Sequence, residues 1–515
     1  MAIKKYTADA DNTIVNAYKS DLVTRGTGSN AGYADVMEVF SIYGRESSGS
    51  QELSRILVKF PISSISSDRT AGDIPASGSV SFYLRLYNAQ HSKTVPEDFK
   101  LTVNPLSQSW QEGVGLDLET YADETDGNAG SNWLSASSTT GWIDYQDIQL
   151  VGGSVITSSS DYMYEQTFET GLEDLEIDIT PMVESWMAGT ISNYGALVKL
   201  SSSYEAYATA ADTTADLSVI TNTDGATTSY YTKRFFARGS QYFFKRPVIE
   251  ARWKSATHDD RGNFYYSSSL APAADNLNTL YLYNYVRGVL QNIPGIGTGN
   301  IYVDLYSGSA DDSAPSGSAL LQSVVTPATG GYVSTGIYSC SVCITAAATP
   351  VETLYDLWRG ADASPTQYFT GSITPIVHYA AQTVRKPVYY INITNNRGKY
   401  RSDENARFNV FVREKNWSPT IYTVANSTVS TTTIVSASYR VYRTLDGFEA
   451  ISYGTGSNLH TLLSYDVSGN YFDFNMSSLE PGYEYAFKFA LYESPVNSWS
   501  EQPETFTFRV EEYEY

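Results

Sequence analysis

The amino-acid sequence predicts an all-β protein built from tandem antiparallel β-sandwiches. Apolar and polar residues alternate in many short runs, as at Phe82, Leu84 and Leu86, which predicts strands with one buried face. Clusters of glycine, serine, asparagine and threonine separate these runs, as the turns between short strands require. Tyrosine is abundant, at 42 residues, and aromatic side chains favour pleated, half-buried surfaces.

The alternation recurs along the chain, so strands are expected in every part of it. The runs that show it best are residues 82–87, 301–306, 407–413 and 487–491. Helix signals are few, and the clearest covers residues 179–189. Thr180 can cap this helix, Pro181 suits its first turn, and Gly189 can end it in the left-handed region. Its apolar stripe is expected to contain Met182, Val183, Trp186 and Met187.

The chain length of 515 residues suits roughly three domains of about 100–200 residues each. A closing strand is expected at residues 246–253, and a polar stretch follows it. A second boundary is expected near residues 382–387, before a new strand begins. We therefore predict three β-sandwich domains at residues 1–253, 254–386 and 387–515.

The composition argues against several classes of function. The net charge of −22 repels phosphate backbones, so DNA or RNA binding is not expected. The chain lacks an apolar run of about 18 residues, so no membrane insertion is expected. The first residues carry no apolar segment of the kind found in signal peptides. We therefore expect a protein that is assembled in a host cytoplasm and released by lysis.

The two cysteines, Cys340 and Cys343, could in principle form half of a zinc site or a redox pair. No second cysteine pair exists, and the four histidines are scattered along the sequence. In a strand, residues three apart point to opposite faces, so the two thiols would not converge. We interpret both as packing or surface thiols.

The first half of the chain resembles the DNRLRE-type domain, a jelly-roll sandwich related to carbohydrate-binding modules. Trp133 and Trp142 stand where that family usually carries tryptophans. The resemblance implies a jelly roll and, by analogy, carbohydrate binding. The motifs that carry it follow in order at residues 54–60, 80–87, 109–113, 178–195 and 235–247.

The C-terminal part, residues 479–485, resembles the tyrosine corner of fibronectin type III and immunoglobulin-like sandwiches. In such a corner a tyrosine hydroxyl bonds to the chain just upstream and fixes the crossover between sheets. Tyr485 would be that tyrosine. The whole chain is similar in style and domain order to virion structural proteins of tailed bacteriophages. This similarity is clearest at residues 276–283 and 405–415.

The sequence carries no recognisable catalytic motif. No nucleophile elbow or phosphate-binding loop is present, so we expect no enzyme. The acidic residues Glu112, Asp117, Glu119, Asp123 and Asp126 leave a polysaccharide hydrolase as a weak alternative.

Two binding sites remain open on the sequence alone, although we expect no cofactor. The acidic stretch 123–128 could hold Ca²⁺, or it is an acidic loop. Trp110, Trp133 and Trp142 could stack on sugars, or they pack in the core of the jelly roll.

We therefore expect a non-enzymatic structural component of a tailed-phage virion, in the neck or collar, tail or fibre adaptor. It would dock on other virion proteins and form a homo-oligomer with ring symmetry. The alternatives are a glycan-binding module for host recognition, with surface glycans as partners, and a capsid decoration protein.

Overall fold

A computed structural model describes the chain over residues 2–512, apart from several internal segments. It confirms the predicted fold class: the described residues form a nearly all-β structure with several antiparallel sheets. Two compact units are present, Ala2–Lys254 and Ser255–Tyr515. The segments outside the description are 45–49, 92–94, 117–129, 145, 157–161, 269–271, 309–314, 317–318, 321–326, 345–350, 361–365, 377–386, 419–430 and 494–496.

The first unit contains thirteen of the described strands. In chain order they are β1 (Ile3–Thr7), β2 (Ala10–Val15), β3 (Val36–Gly44), β4 (Ser50–Lys59), β5 (Ser81–Leu86), β6 (Phe99–Pro105), β7 (Trp142–Ile143), β8 (Gln149–Leu150), β9 (Tyr164–Phe168), β10 (Leu175–Asp178), β11 (Ala196–Leu200), β12 (Tyr230–Phe236) and β13 (Val248–Arg252).

Two sheets of this unit face each other. One has the strand order β1-β13-β5-β10, and the other has the order β12-β3-β4-β11-β6-β9, with β2 paired to β4. Alternate side chains of both sheets point into one core, where Phe82 and Leu84 of β5 are fully buried. The alternation read from the sequence therefore predicts the buried face of β5 correctly.

The predicted helix is α2 (Thr180–Ala188), and it ends at Gly189 with a φ of 71° as expected. The expectation that Thr180 caps the helix is wrong, because the capping position is Ile179 and no side chain caps there. The hydroxyl of Thr180 instead donates to Asp178 Oδ1 at 2.6 Å and accepts from the amide of Phe82 at 2.8 Å. It therefore ties the helix to β5.

Two further helices of the first unit were not predicted from the sequence. Helix α1 (Ile62–Ala71) is rich in serine and has only two buried apolar residues, so its periodicity is weak. Arg69 on α1 forks onto Glu184 of α2 at 2.8 and 2.7 Å, which holds the two helices together. Helix α3 (Ala210–Ala215) begins with a capping box formed by Thr209 and Asp212.

The second unit contains the remaining described strands. They are β14 (Asn278–Tyr283), β15 (Tyr285–Val286), β16 (Val289–Leu290), β17 (Ile301–Gly308), β18 (Pro315–Ser316), β19 (Ala328–Ser334), β20 (Ile337–Val342), β21 (Leu354–Arg359), β22 (Gln367–Ile373), β23 (Tyr389–Ile393), β24 (Lys399–Arg401), β25 (Asn405–Glu414), β26 (Ala437–Arg443), β27 (Glu449–Ile451), β28 (Ser464–Asp466), β29 (Gly469–Asn475), β30 (Glu484–Glu493), β31 (Ser498–Glu501) and β32 (Phe506–Glu511).

These strands form one long sheet followed by a two-sheet sandwich. The long sheet has the order β14-β20-β19-β17-β21-β22, and its buried face surrounds Trp358 and Leu280. The sandwich places the sheet β23-β25-β29-β28 beside the sheet β24-β32-β30-β26-β27. Its core is aromatic: the ring of Phe487 lies 4.9 Å from that of Phe408 and 4.5 Å from that of Phe508.

Asp260 joins the long sheet to the sandwich within the second unit. One carboxylate oxygen accepts from the hydroxyl of Tyr465 in β28 at 2.7 Å. The other accepts from the backbone amide of Thr279 in β14 at 2.6 Å. The two parts of the unit therefore share a buried hydrogen-bonded carboxylate.

Candidate functional site

The tryptophans that the sequence marks for glycan stacking lie under loops that cover one face of the seven-stranded sheet. Trp133 and Trp142 are both 0% exposed and pack on apolar side chains of β2, β4 and β11. The indole N–H of Trp133 donates to the carbonyl of Ser218 at 2.7 Å, and that of Trp142 to Asn132 at 2.9 Å. Neither ring offers a face to a sugar in this arrangement, and core packing accounts for both.

Trp110 lies at the edge of the same layer and is half-buried. Its indole N–H donates to the carbonyl of Tyr194 at 2.7 Å. Of the three tryptophans, it is the one with part of its ring at the surface. A single half-buried ring gives a sugar little area to stack on.

A buried ion pair lies beneath the loop layer. The guanidinium of Arg55 on β4 donates to both carboxylate oxygens of Glu205, at 2.9 and 3.0 Å, and lies 5.3 Å from the ring of Trp133. Lys199 on β11 adds a contact to Glu205 at 3.2 Å. Burial alone would raise the pKa of Glu205, but Arg55 and Lys199 outweigh it and hold that pKa below its usual range. The pair fixes the covering loop to the sheet.

The acidic residues of the first unit include one structural clamp. Glu112 receives a fork from Arg238 at 3.0 and 2.7 Å and also accepts from the backbone amide of Asp11 at 2.9 Å. Glu112 therefore ties Arg238 to the start of β2. Asp117, Glu119, Asp123 and Asp126, with the proposed Ca²⁺ stretch 123–128, lie outside the described residues.

Asp11 stands beside this clamp and is 0% exposed. One of its oxygens accepts from the backbone amide of Arg238, while Oδ1 has no hydrogen-bond partner among the described residues. Burial raises the pKa of Asp11 to about 7, and the nearby Glu112 adds to the shift. This carboxyl group therefore titrates near neutral pH.

The described ranges contain neither a cluster of metal-binding side chains nor a membrane-spanning helix, and both cysteines are buried. No group of three or more histidine, cysteine, aspartate or glutamate side chains among them is arranged to hold a metal ion. No helix in those ranges is long and apolar enough to span a membrane. Cys340 and Cys343 are buried thiols, and burial raises the pKa of Cys340 to about 12, which makes it a poor nucleophile.

Two clefts among the described residues are open to solvent, and each contains a charged pair. A cleft of about 560 Å³ in the first unit lies between α1 and α2, over the ion pair of Arg69 and Glu184. A cleft of about 520 Å³ in the second unit is lined by Arg397 and Glu404, which also pair with each other. Neither cleft presents a charged group that is poised for catalysis.

The hairpin β15–β16 presents an exposed apolar surface in the second unit. Its side chains are apolar yet exposed: Tyr285 is 60% and Val289 61% accessible. Arg287 and Gly288 form its turn, with φ angles of 53° and 81°, as a tight type I′ hairpin requires. The sequence signal was the glycine between two short apolar pairs, and our sequence reasoning missed it.

A second hairpin, the β19–β20 turn, braces the first. The amide of Asn284 donates to the carbonyl of Gly336 at 2.8 Å, and the amide of Gly336 donates to Asn292 at 2.8 Å. Gly336 has a φ of 72°, and a side chain there would meet the backbone of Gln291 at 2.7 Å. We call the exposed apolar residues of this braced pair the hairpin surface: Tyr285, Val286, Val289, Tyr332 and Val333.

The remaining predicted residues serve the scaffold. The hydroxyl of Tyr485 is placed as in a tyrosine corner and donates to the carbonyl of Glu480 at 3.0 Å. Its side chain is 2% exposed. Trp186 on α2 is 5% exposed and belongs to the core between the two sheets of the first unit.

Comparisons with known proteins add little to this picture. No family model matches the chain, and no curated protein matches it. Nine chains among the solved structures are similar to it. One is a DUF4785 family protein from Legionella pneumophila, 8% identical, with 98% of this chain and 92% of that chain covered and a TM-score of 0.13. A TM-score this low carries no argument about fold or function.

Proposed function

We propose that the chain is a non-enzymatic structural component of a tailed-phage virion, in the neck or collar, tail or fibre adaptor. It works by docking on other virion proteins and assembles as a ring-shaped homo-oligomer without a cofactor. The observation that carries the docking role is the hairpin surface. Support for the virion setting comes from the sequence resemblance to phage structural proteins and to a DNRLRE-type jelly roll.

The chemistry of the hairpin surface suits a protein partner. Aromatic and aliphatic side chains at the centre of an interface provide most of its binding energy, and tyrosine does so at low entropic cost. The tight turn and the brace from the second hairpin hold Tyr285 and Val289 in place before binding. Such preorganisation lowers the entropic cost of association.

Glycan binding is the alternative that the jelly-roll resemblance implies. The burial of Trp133 and Trp142 does not favour it, because a stacking site needs an accessible ring face. Docking through the hairpin surface is therefore the better-supported role.

Mass spectrometry of purified particles, whole and split into heads and tails, tests the virion setting. We expect the chain at low copy number in the fraction that holds the neck and tail. A copy number in the hundreds on heads would instead make it a decoration protein. Absence from particles would refute the virion assignment.

A pair of substitutions tests the docking role directly. Tyr285→Ser with Val289→Ser should reduce incorporation into particles at least tenfold while leaving the melting temperature unchanged, because both side chains are exposed. The matched control is Leu445→Ser, which removes a side chain that is 78% exposed and lies outside the hairpin surface. If the two variants are incorporated equally, the hairpin surface does not take part in assembly.

A further inference from the structure

A buried lysine connects the two sheets of the first unit. Lys233 on β12 is 1% exposed, and its Nζ lies 2.6 Å from Oδ1 of Asn88, which follows β5. Nζ also donates to the carbonyls of Gly171 and Glu173, at 2.8 and 2.9 Å. Asn88 and Lys233 are 145 residues apart in the sequence, and Asn88 also forms an isolated β-bridge with Phe235 of β12.

The surroundings of this lysine make its neutral form accessible near neutral pH. The rings of Phe168 and Phe235 lie 5.3 and 4.9 Å from Nζ and stabilise the charged form, which burial opposes. Burial lowers the pKa of Lys233 to about 8, although Asp174 and Glu173 oppose the shift. At pH 7 roughly one lysine in ten is then a neutral amine, which is the nucleophilic form.

The side-chain partner of the lysine is a neutral amide and not a carboxylate. A buried lysine is usually paired with an acidic side chain, which compensates its charge. Here Asn88 presents a carbonyl group, and because a C=O bond is about 1.23 Å long, its Cγ lies within about 3.8 Å of Nζ. That range includes the separation of reacting atoms in a near-attack arrangement.

The side-chain amide and the backbone amide of Asn88 are both held by hydrogen bonds. Nε2 of His91 lies 3.0 Å from Oδ1, which is the oxygen that would carry negative charge during attack. The backbone amide of Asn88 donates to Asp174 Oδ1 at 2.7 Å, which fixes the position of the residue. An amine, an electrophilic carbon and an imidazole nitrogen beside the carbonyl oxygen are therefore assembled in one place.

We propose that Lys233 and Asn88 join in an intramolecular isopeptide bond. The lone pair of neutral Nζ attacks Cγ of Asn88, and the π electrons of the carbonyl move to Oδ1, facing His91. The carbonyl then re-forms, the Cγ–Nδ2 bond breaks, and Nδ2 takes a proton from the former amine and leaves as ammonia. The sum is one amine and one primary amide giving one secondary amide and one ammonia, without oxidant or reductant.

The bond would lock the two sheets of the first unit together covalently. It would join β12, an edge strand of the seven-stranded sheet, to the segment that follows β5 of the four-stranded sheet. A cross-link over so long a stretch of chain restricts the unfolded state and resists mechanical separation of the sheets. This inference is independent of the virion assignment.

The test is the intact mass of the purified full chain followed by peptide mapping. The wild-type mass should be lower by one ammonia than the mass of its sequence, and a tryptic peptide pair should be joined through Lys233 and Asn88. Lys233→Arg and Asn88→Ala should each restore the full mass and separate the peptides. The matched control, Lys199→Arg, changes another inward lysine and should keep the cross-link.

Two results would overturn the proposal. One is a wild-type mass equal to that of the sequence, which needs no variant to fold. The other is loss of ammonia without a joined peptide pair, since cyclisation of an asparagine onto its own backbone gives the same mass change.

Discussion

The buried carboxyl group of Asp11 makes the stability of the first unit depend on pH in a defined window. Its pKa is raised from 3.8 in the unfolded chain to about 7 in the folded one. A raised carboxyl pKa stabilises the fold fully below 3.8, and this contribution is lost as the pH rises through about 7. Between pH 5 and about pH 7 the folded state keeps this proton and the unfolded state has lost it. Over these two pH units the free energy of unfolding falls by about 2–3 kcal/mol, and it changes little more up to pH 8.

Differential scanning calorimetry of the full chain measures this effect. For a unit of about 250 residues, about 2–3 kcal/mol corresponds to a fall of roughly 5–10 °C in the melting temperature from pH 5 to pH 8. Asp11→Asn removes the titrating group, so the transition of the first unit should lose most of that fall. Carboxylates with lowered pKa values, such as Glu205, are ionised in both states over this window and do not contribute to the slope.

A matched control separates Asp11 from the general effect of removing a charge. Asp21 is exposed, and hydrogen bonds from the backbone amides of Val23 and Thr24 lower its pKa to about 2, so it is ionised throughout the window. Asp21→Asn should therefore keep the wild-type pH profile. If Asp11→Asn and the wild type show the same slope between pH 5 and pH 8, the argument from burial is refuted.

Three further predictions concern the stability of the scaffold, each measured by urea unfolding. Arg55→Met leaves Glu205 buried with one weaker partner and should cost about 3–5 kcal/mol, whereas a cost below 1 kcal/mol would show that water reaches the pair. Trp133→Ala empties a fully buried site and should cost about 3–5 kcal/mol; a near-neutral effect would contradict its place in the core. Tyr485→Phe removes the hydrogen bond to Glu480 and should lower the free energy of unfolding of the second unit by about 1 kcal/mol. If that free energy does not change, the tyrosine corner does not stabilise the unit.

Much of the fold could be predicted from local pattern, because a strand at a sheet surface imposes a period of two on its side chains. The runs at residues 82–87 and 487–491 show this period, and their apolar members are buried as expected. Helix α2 was also visible, since Pro181 and Gly189 mark its two ends. Helix α1 was not, because only Ile62 and Ile65 in it are buried and a stripe of two residues has no readable period.

The candidate sites could be predicted less well, because they depend on which surfaces other parts of the chain cover. A tryptophan in a jelly roll can stack on a sugar or pack in a core, and its neighbours in sequence are the same in both cases. The loops around Glu205 and Ser218 decide the matter for Trp133, and they lie more than seventy residues away along the chain.

The sequence by itself determined the all-β class and the inward face of many strands, since both follow from residue spacing along the backbone. The tertiary structure alone decided what surrounds each chemical group. It buried Trp133, raised the pKa of Asp11, exposed Tyr285 on a braced hairpin, and brought Lys233 against Asn88. The physical reason is that burial, dielectric environment and reactive contact are set by residues distant in sequence, and a single sequence does not encode those distances locally.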